Sequence, residues 1–254
     1  MPTFLFRGTK IYYDHLGFGT PIVFVHPPAM GRRVFHYQAQ LDKYFHCIFP
    51  DLSGHGDSVG PYKRVSIQGY ANEIEALLDY MQIEKAVICG YSSGGAVAQE
   101  FAISFPERTS GLILSGGFPE VQSLGFKYEH IAGMYFVKHF PHFLAWLLAE
   151  SHTTDEALSR ELYHHMLKAN RRMWFEFYEQ SLHYTCVERL HELKAPLFLI
   201  YGSKDFVNQH LRNYEKYTKY QAAIVPKVSH QLPTKKWRVF NQLITGFVKS
   251  EVEG

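Results

Sequence analysis

Short apolar runs alternate with amphipathic stretches along most of the chain. Six of these runs are rich in β-branched or aromatic residues and are bounded by glycine, proline or a polar residue, a pattern typical of strands buried on both faces. They span residues 21–26, 47–51, 85–91, 111–117, 196–202 and 221–226. The two segments before the first run, 3–7 and 10–17, are typical of an N-terminal hairpin added to the same sheet.

The stretches between the runs carry apolar residues at helical spacing. The spacing predicts a helix over 66–80 behind a serine cap, and a second helix over 93–105 that stops at Pro106. A third helix is predicted over 233–248, with its apolar residues on one side. Strands that alternate with helices indicate an α/β fold, in which helices cover both faces of a mostly parallel central sheet.

The alternation breaks between residues 118 and 190, where no good strand pattern is present. Apolar positions repeat at helical spacing instead, and Pro141 is expected to bend or end the first of these helices. We therefore predict an α/β core made of residues 1–117 and 191–254. Residues 118–190 would form a helical cap, or lid, inserted between two strands and lying over the carboxyl edge of the sheet.

The strongest chemical motif lies at a junction between a strand and a helix. The sequence GYSSGG, at residues 90–95, follows an apolar run and opens a helix. A serine on such a sharp turn needs small residues two positions before and two positions after it. Gly90 and Gly94 meet this need for Ser92, whereas Ser93 lacks a glycine on one side. The motif is common by chance, but its placement here favours a nucleophilic serine.

A serine hydroxyl is a poor nucleophile unless a general base takes its proton and an acid orients that base. His230 follows the last apolar run, and Asp205 follows the run before it. Both positions fall at the carboxyl ends of strands, where sheets of this type build sites. Each residue has an ordinary alternative, a loop histidine among 15 in the chain and an aspartate in a turn or helix cap. The order Ser, Asp, His supports the catalytic interpretation.

Taken in chain order, these features are similar to those of α/β hydrolases of the capped serine hydrolase and esterase type. The resemblance runs from about residue 11 to residue 248 and includes HPP at residues 26–28 and DLSGHGDS at residues 51–58. It implies a nucleophile elbow and a catalytic triad of Ser92, Asp205 and His230, with no cofactor and no metal ion.

The resemblance also implies an oxyanion hole with two backbone N–H donors. One donor is the N–H of Ser93, and the other falls at Pro28, which has no N–H because it is a proline. Pro27 stands where the family has a glycine. We expect Ala29 to turn its N–H inward and complete the hole; Met30, a water molecule or a side chain are the alternatives.

Other site types find less support in the sequence. The polar segment 51–58 is expected to support a turn beside the site, so His55 is a weaker general-base candidate than His230. Residues 191–195 begin like a metalloprotease helix but lack its second histidine. The sequence contains neither the glycine pattern of a P-loop nor that of a dinucleotide-binding turn.

Composition narrows the class of partner. A formal net charge of +2 on 254 residues gives no argument for nucleic acid or for an anionic membrane. The sequence shows no apolar run long enough to span a bilayer and no signal-peptide pattern. Cys47, Cys89 and Cys186 cannot all pair within the chain and are expected to be buried, reduced thiols of a cytoplasmic protein. The sequence leaves open whether the chain forms a homodimer.

The predicted activity is hydrolysis of an ester, thioester or lactone of a small to medium apolar acyl substrate, through an acyl-enzyme on Ser92. Carbon–carbon bond hydrolysis, acyl transfer and perhydrolysis at the same site remain alternatives, as does a ligand receptor or scaffold with weak catalysis. Aromatic residues make up 16% of the chain, and those of the cap are candidates for pocket walls, although most are expected to form its core. The candidates are Phe126, Tyr135, Phe136, Trp146, Trp174, Phe175 and Tyr178.

Overall fold

The computed structural model describes residues 2–58, 60, 64 and 66–254. The strands are β1 (Thr3–Phe6), β2 (Thr9–Leu16), β3 (Pro21–Val25), β4 (His46–Pro50), β5 (Ala86–Tyr91), β6 (Thr109–Ser115), β7 (Leu197–Gly202) and β8 (Gln221–Val225). They form one sheet in the order β1-β2-β4-β3-β5-β6-β7-β8. The hairpin β1–β2 joins β4 antiparallel, and the pairs from β4 to β8 are parallel. The mostly parallel sheet predicted from the sequence is confirmed.

Helices cover both faces of this sheet. They are α1 (Ile67–Tyr80), α2 (Gly94–Ser104), α3 (Leu124–His139), α4 (Pro141–His152), α5 (Glu156–Met166), α6 (Arg171–His183), α7 (Leu211–Tyr217), α8 (Leu232–Lys235) and α9 (Trp237–Glu251). Segments of 3₁₀ helix follow β3 and β7, at Arg32–Lys43, which is kinked at Phe35, and at Phe206–His210. None of the helices in the described part of the chain has the length and apolar character needed to cross a membrane.

Alternate side chains of β3 enter two different apolar clusters. Ile22 and Phe24 pack in the cluster that contains residues of α9, whereas Val23 and Val25 pack in the cluster that contains residues of α1 and α2. Because both faces of the strand are covered, the strand is apolar at every position, as its continuous apolar run suggested. The three cysteines are buried and unpaired.

Specific hydrogen bonds accompany the start of α1 and the break between α8 and α9. As predicted, the Ser66 hydroxyl caps α1 by accepting a hydrogen bond from the Gly69 N–H at 3.0 Å. The single C-terminal helix predicted over 233–248 is wrong, because the chain leaves the helical region at Lys236, between α8 and α9. The Pro233 carbonyl, which a continuous helix would use internally, instead accepts a hydrogen bond from Gln38 Nε2 at 3.0 Å.

Helices α3 to α6, called here the helical insertion, lie between β6 and β7. Pro141 is the first residue of α4, so it separates α3 from α4 as its ring requires. The two ends of the insertion are tied together, because Glu120 and Thr185 form an antiparallel bridge and the Cys186 N–H donates to the Pro119 carbonyl at 3.0 Å. The division into a core and a cap at residues 118 and 190 stays a prediction.

Candidate active site

Ser92 lies on the turn between β5 and α2 with a φ of 53°. This left-handed conformation is strained for a serine, and close packing around the turn maintains it. A Cβ added at Gly90 would lie 2.6 Å from the Gly95 Cα, and one at Gly94 would collide with the end of β3. The Ser92 N–H donates to the Ser115 carbonyl at 2.9 Å. The turn thus has the strand-to-helix geometry that the sequence predicted.

His230 and Asp205 follow neighbouring strands, β8 and β7, and their side chains meet. His230 Nδ1 and Asp205 Oδ2 are 2.8 Å apart, and the Asp205 side chain is almost fully buried. The other Asp205 oxygen accepts a hydrogen bond from the Val207 N–H at 3.0 Å. Asp205 is therefore both a helix cap and a partner of His230. A carboxylate that accepts the Nδ1 proton leaves Nε2 free to accept another proton.

Gly116 packs directly against the His230 ring. Its φ is 57°, and a Cβ at this position would lie 2.6 Å from His230 Cε1 and 2.8 Å from Nδ1. A larger residue would therefore displace the imidazole. The sequence reasoning missed this residue, although the signal was present as a pair of glycines, Gly116 and Gly117, directly after an apolar run.

Ser92, Asp205 and His230 line one cavity of about 530 Å³. The structure therefore brings the three predicted triad residues to a single site, together with Ser93, the residue that follows the nucleophile. Ser93 directly precedes α2, and the first N–H groups of a helix have no partner within the helix. The Ser93 N–H is thus available at a position where an α-helix favours negative charge.

The helical insertion supplies much of the remaining cavity wall. Three of the aromatic residues predicted for the pocket line it, namely Phe126, Phe136 and Tyr178. Small residues of α3, Ala132 and Gly133, and three leucines of α4, Leu144, Leu147 and Leu148, line it as well. Phe126 contacts Phe206, beside Asp205, with ring centroids 5.2 Å apart, so the start of α3 lies over the acid–base pair.

The other aromatic residues predicted for the pocket lie outside its wall. Trp174 is 2% exposed and packs in the apolar cluster that contains Leu162, with Phe175 packed against the same cluster. Tyr135 and Trp146 are 54% and 51% exposed. These assignments were wrong because adjacent positions of a helix point in directions about 100° apart, so aromatic character alone does not reveal which residue faces the cavity.

A hydrogen bond connects the sheet to the helical insertion beside the cavity. The Tyr91 hydroxyl lies 3.0 Å from His152 Nε2, and His152 Nδ1 lies 2.7 Å from the Leu148 carbonyl. Since a carbonyl can only accept, Nδ1 carries the proton and Nε2 accepts from Tyr91. Burial lowers the pKa of His152 to about 4. His152 is therefore a neutral link between β5 and α4.

The loop after β3 differs from the prediction for the oxyanion hole. The Ala29 N–H donates to His55 Nδ1 at 3.3 Å, and the Met30 N–H donates to the Pro28 carbonyl at 2.9 Å. Ala29 adopts a φ of 63° and lies outside the cavity wall, whereas Pro27, Pro28 and Met30 line it. The expectation that Ala29 completes the hole is therefore wrong, and the alternative of Met30 fails for the same reason.

His26 and His55 hold this loop against the loop after β4. His26 Nδ1 donates to the Pro27 carbonyl at 2.8 Å, and Nε2 accepts from the Leu52 N–H at 2.9 Å. Burial lowers the pKa of His26 to about 4 and that of His55 well below its ordinary value. Both histidines are neutral and structural. They explain why the motifs at residues 26–28 and 51–58 occur together in one chain.

A buried ion cluster supports the same two loops. Arg32 pairs with Asp51, with Asp14 at 2.8 Å and with Asp57 at 2.9 Å, and His165 of α5 lies 3.1 Å from Asp51. Burial alone would raise the pKa of Asp51, but the hydrogen bond from His165 and the charge of Arg32 lower it. One potential ligand atom of each of Asp51, Asp57 and His165 lies within 4.8 Å of the others, as in a metal site. In this cluster the Arg32 guanidinium supplies positive charge to the two carboxylates.

Comparisons with known proteins agree with the fold of this chain. Residues 22–243 match the family model described as the alpha/beta hydrolase family. An uncharacterized protein of Mycobacterium bovis is 35% identical over 132 residues, which cover 50% of this chain and 39% of that protein. The chain thus spans less than half the length of this relative.

Two further proteins are similar in sequence or in structure. The 3-oxoadipate enol-lactonase 2 of Acinetobacter baylyi is 35% identical over 128 residues, which cover 45% of this chain and 46% of that protein. An esterase from Exiguobacterium antarcticum has the same fold, with a TM-score of 0.87 at 20% identity over 96% of this chain and 97% of that chain.

Proposed function

Because the chain belongs to the alpha/beta hydrolase family, we propose that it is a serine hydrolase that cleaves an ester, thioester or lactone. The observation that carries the proposal is the 2.8 Å contact between His230 and Asp205, in the same cavity as the strained Ser92. A similar lactonase and a structurally similar esterase support acyl-oxygen cleavage as the reaction class.

The proposed reaction uses an acyl-enzyme on Ser92. Ser92 Oγ attacks the acyl carbon while His230 Nε2 takes its proton, and Asp205 stabilises the imidazolium that forms. The tetrahedral intermediate collapses, and His230 returns the proton to the leaving oxygen or sulfur. A water molecule then attacks the acyl-enzyme, with His230 again as the base, and the acid product leaves with Ser92 restored.

The developing oxyanion accepts a hydrogen bond from the Ser93 N–H. The segment from Pro27 to Met30 adds no second backbone donor, since its two prolines have no N–H and its two other amides are bonded within the protein. A water molecule or a side chain has to supply any further hydrogen bond. Because one oxyanion donor is worth about 2.7–4 kcal/mol, we expect a slower acylation step than a two-donor site would give.

Cavity size and wall chemistry support a substrate of limited length. A volume of about 530 Å³ falls within the range of small-molecule sites, and the walls from α3 and α4 are mainly apolar. An acyl chain of small to medium size would therefore bury most of its surface against Phe126, Phe136 and the leucines of α4.

The loop after β3 also favours a second candidate function. A site without a second backbone donor would stabilise the oxyanion poorly while still enclosing an apolar ligand. The alternative is therefore a receptor that binds such a ligand and turns it over slowly. Carbon–carbon bond hydrolysis and acyl transfer share the same Ser92 chemistry and differ only in the bond cleaved or in the acceptor.

Hydrolysis of p-nitrophenyl acetate and butyrate tests the proposal. We expect turnover by the wild-type protein and a loss of about 10³-fold or more in Ser92→Ala. Ser250→Ala, which removes a hydroxyl from the far end of α9, is the matched control and should retain activity. Equal turnover by Ser92→Ala would contradict the proposal, and tight binding of an apolar ligand without turnover would favour the receptor.

A further inference from the structure

Helix α3 turns one face toward the cavity. The residues of this face recur at helical spacing and are Phe126, Glu129, His130, Gly133 and Phe136. Glu129 is the one carboxylic acid in this set. The other members are apolar or small, apart from His130.

The Glu129 carboxyl lies within electrostatic reach of the acid–base pair. Burial against the cavity wall raises its pKa, the charge of His230 opposes that rise, and the charge of Asp205 adds to it. The residue is nevertheless exposed overall, so a ligand that enters the cavity can approach its carboxylate. Glu129 also raises the pKa of Tyr178, on the opposite helix α6, after burial of that hydroxyl. The carboxylate therefore acts on several parts of the cavity wall.

Positive charge is scarce around the same cavity. Of the residues that the structure describes, no lysine or arginine lines it. His130 and His152 line it, but burial lowers the pKa of both, so both are neutral at neutral pH. The two acidic residues of the wall, Glu129 and Asp205, therefore have no lysine or arginine beside them among its described residues.

We propose that Glu129 sets the charge selectivity of this cavity, which admits neutral and cationic acyl substrates and rejects those that carry a free carboxylate. The inference rests on the proposed esterase function and narrows its substrate class. An anionic acyl chain would lose its hydration inside the cavity and would meet a like charge in place of a counter-ion. A quaternary ammonium group would instead meet the Glu129 carboxylate and the aromatic faces of Phe126 and Phe136.

Three p-nitrophenyl esters of similar length test this selectivity: the hexanoate, the monoester of adipic acid and the 6-(trimethylammonio)hexanoate. The readout is the ratio of kcat/KM for each charged ester to that of the neutral one, at mildly alkaline pH and low salt. In the wild-type protein we expect the anionic ratio to be about tenfold or more below the cationic ratio. Tenfold corresponds to about 1.4 kcal/mol, which is less than the repulsion between two like charges about 4 Å apart near a protein surface.

The variant Glu129→Gln keeps the shape of the side chain and removes its charge. We expect the anionic ratio to rise about tenfold and the cationic ratio to fall in this variant. Glu188→Gln removes an exposed carboxylate that does not line the cavity, and it should leave both ratios unchanged. Added salt should weaken the wild-type preference, since ions screen exposed charges. Ratios in Glu129→Gln equal to those of the wild-type protein would overturn the inference.

A binding measurement separates this inference from the proposed reaction. The corresponding p-nitroanilides, used as ligands in titration calorimetry, report charge preference without needing ester turnover. If no ester is hydrolysed, the proposed function fails, and the binding ratios of wild type and Glu129→Gln still decide the role of Glu129. If the neutral ester is hydrolysed through Ser92, but neither the kcat/KM ratios nor the binding ratios change in Glu129→Gln, only the proposed charge selectivity fails.

Discussion

The two sides of the cavity are built from different kinds of interaction. One side, the floor, consists of the loops at the carboxyl ends of β3, β5, β7 and β8, together with Gly116 after β6. The other side, the roof, consists of helices α3 and α4. The floor is fixed by hydrogen bonds, a strained serine and close backbone contacts, whereas the roof is mainly apolar packing and includes one carboxylic acid, Glu129. This difference separates the chemistry of the site from the choice of substrate.

The hydrogen bonds of the floor each require a particular type of side chain. His26, His55 and Asp205 each accept or donate at a defined atom, so replacement by a residue of similar size does not preserve the arrangement. Apolar packing on the roof tolerates exchange among residues of similar volume. Changes on the floor should therefore act mainly on kcat, and changes on the roof mainly on which substrates enter.

The largest expected effect tests the floor. Asp205→Asn keeps a side-chain oxygen that can still cap the Val207 N–H, but it no longer holds His230 in the tautomer with a free Nε2. We expect kcat to fall about 10³–10⁴-fold. Thermal unfolding should show a Tm close to that of the wild-type protein. A fall of less than tenfold in kcat would mean that Asp205 serves only as a helix cap.

Gly116→Ala should disturb the floor without removing any polar group. Its Cβ would lie 2.6 Å from His230 Cε1, so the ring has to move away. A displacement of a catalytic group by about 1 Å costs about 10²-fold in rate. Gly246→Ala in α9 is the matched control, because its Cβ meets nothing within 4 Å. Steady-state kinetics of both variants give the comparison, and equal rates would show that Gly116 does not position the imidazole.

Many residues of the floor could be predicted from the sequence because few other residue types could occupy their positions. The spacing of Gly90, Ser92 and Gly94 has a steric cause, and the structure shows the contacts behind it. The parallel strands could be located because both of their faces are buried, which leaves continuous apolar runs. Asp205 and His230 followed from their order along the chain and their place after these strands.

The features that could not be predicted depend on partners distant in sequence. The Ala29 N–H donates to His55. The helix is interrupted at Lys236, where the Pro233 carbonyl accepts a hydrogen bond from Gln38 instead of from its own helix. Roof residues were hard to assign for a similar reason, because helix rotation decides which side chain faces the cavity. Glu129 was missed entirely, since a single acidic residue in a helical segment gives no local signal.

A gain of activity would test the oxyanion loop of the floor. Pro28→Ala restores an N–H at the position where related hydrolases are expected to have a donor. We expect kcat to rise about tenfold, somewhat less than a fully aligned donor provides. Pro27→Ala also replaces a proline ring by a residue with an N–H, but at the neighbouring position, so its kinetics show whether the effect is specific to position 28. An unchanged or lower kcat in Pro28→Ala would indicate that another group already occupies the second position.

The smallest effect concerns the link between floor and roof. His152 has a pKa of about 4 when folded, against an ordinary value of 6.5, so between these values the unfolded state binds more protons. The stability that neutral His152 contributes is present above pH 6.5 and is lost as the pH falls toward 4. The free energy of unfolding of the wild-type protein should therefore rise with pH over this range. In His152→Gln this rise should be smaller by about 1 kcal/mol per pH unit, as urea unfolding at a series of pH values would measure. An unchanged slope would contradict the buried, neutral state of His152.

Covalent labelling of the wild-type protein by a fluorophosphonate, followed by peptide mass mapping, shows whether Ser92 is the activated nucleophile. A serine whose proton passes to His230 should react with the probe, so we expect one adduct, on Ser92. An adduct on Ser93 or on another residue, or no adduct on a preparation that hydrolyses esters, would contradict this assignment.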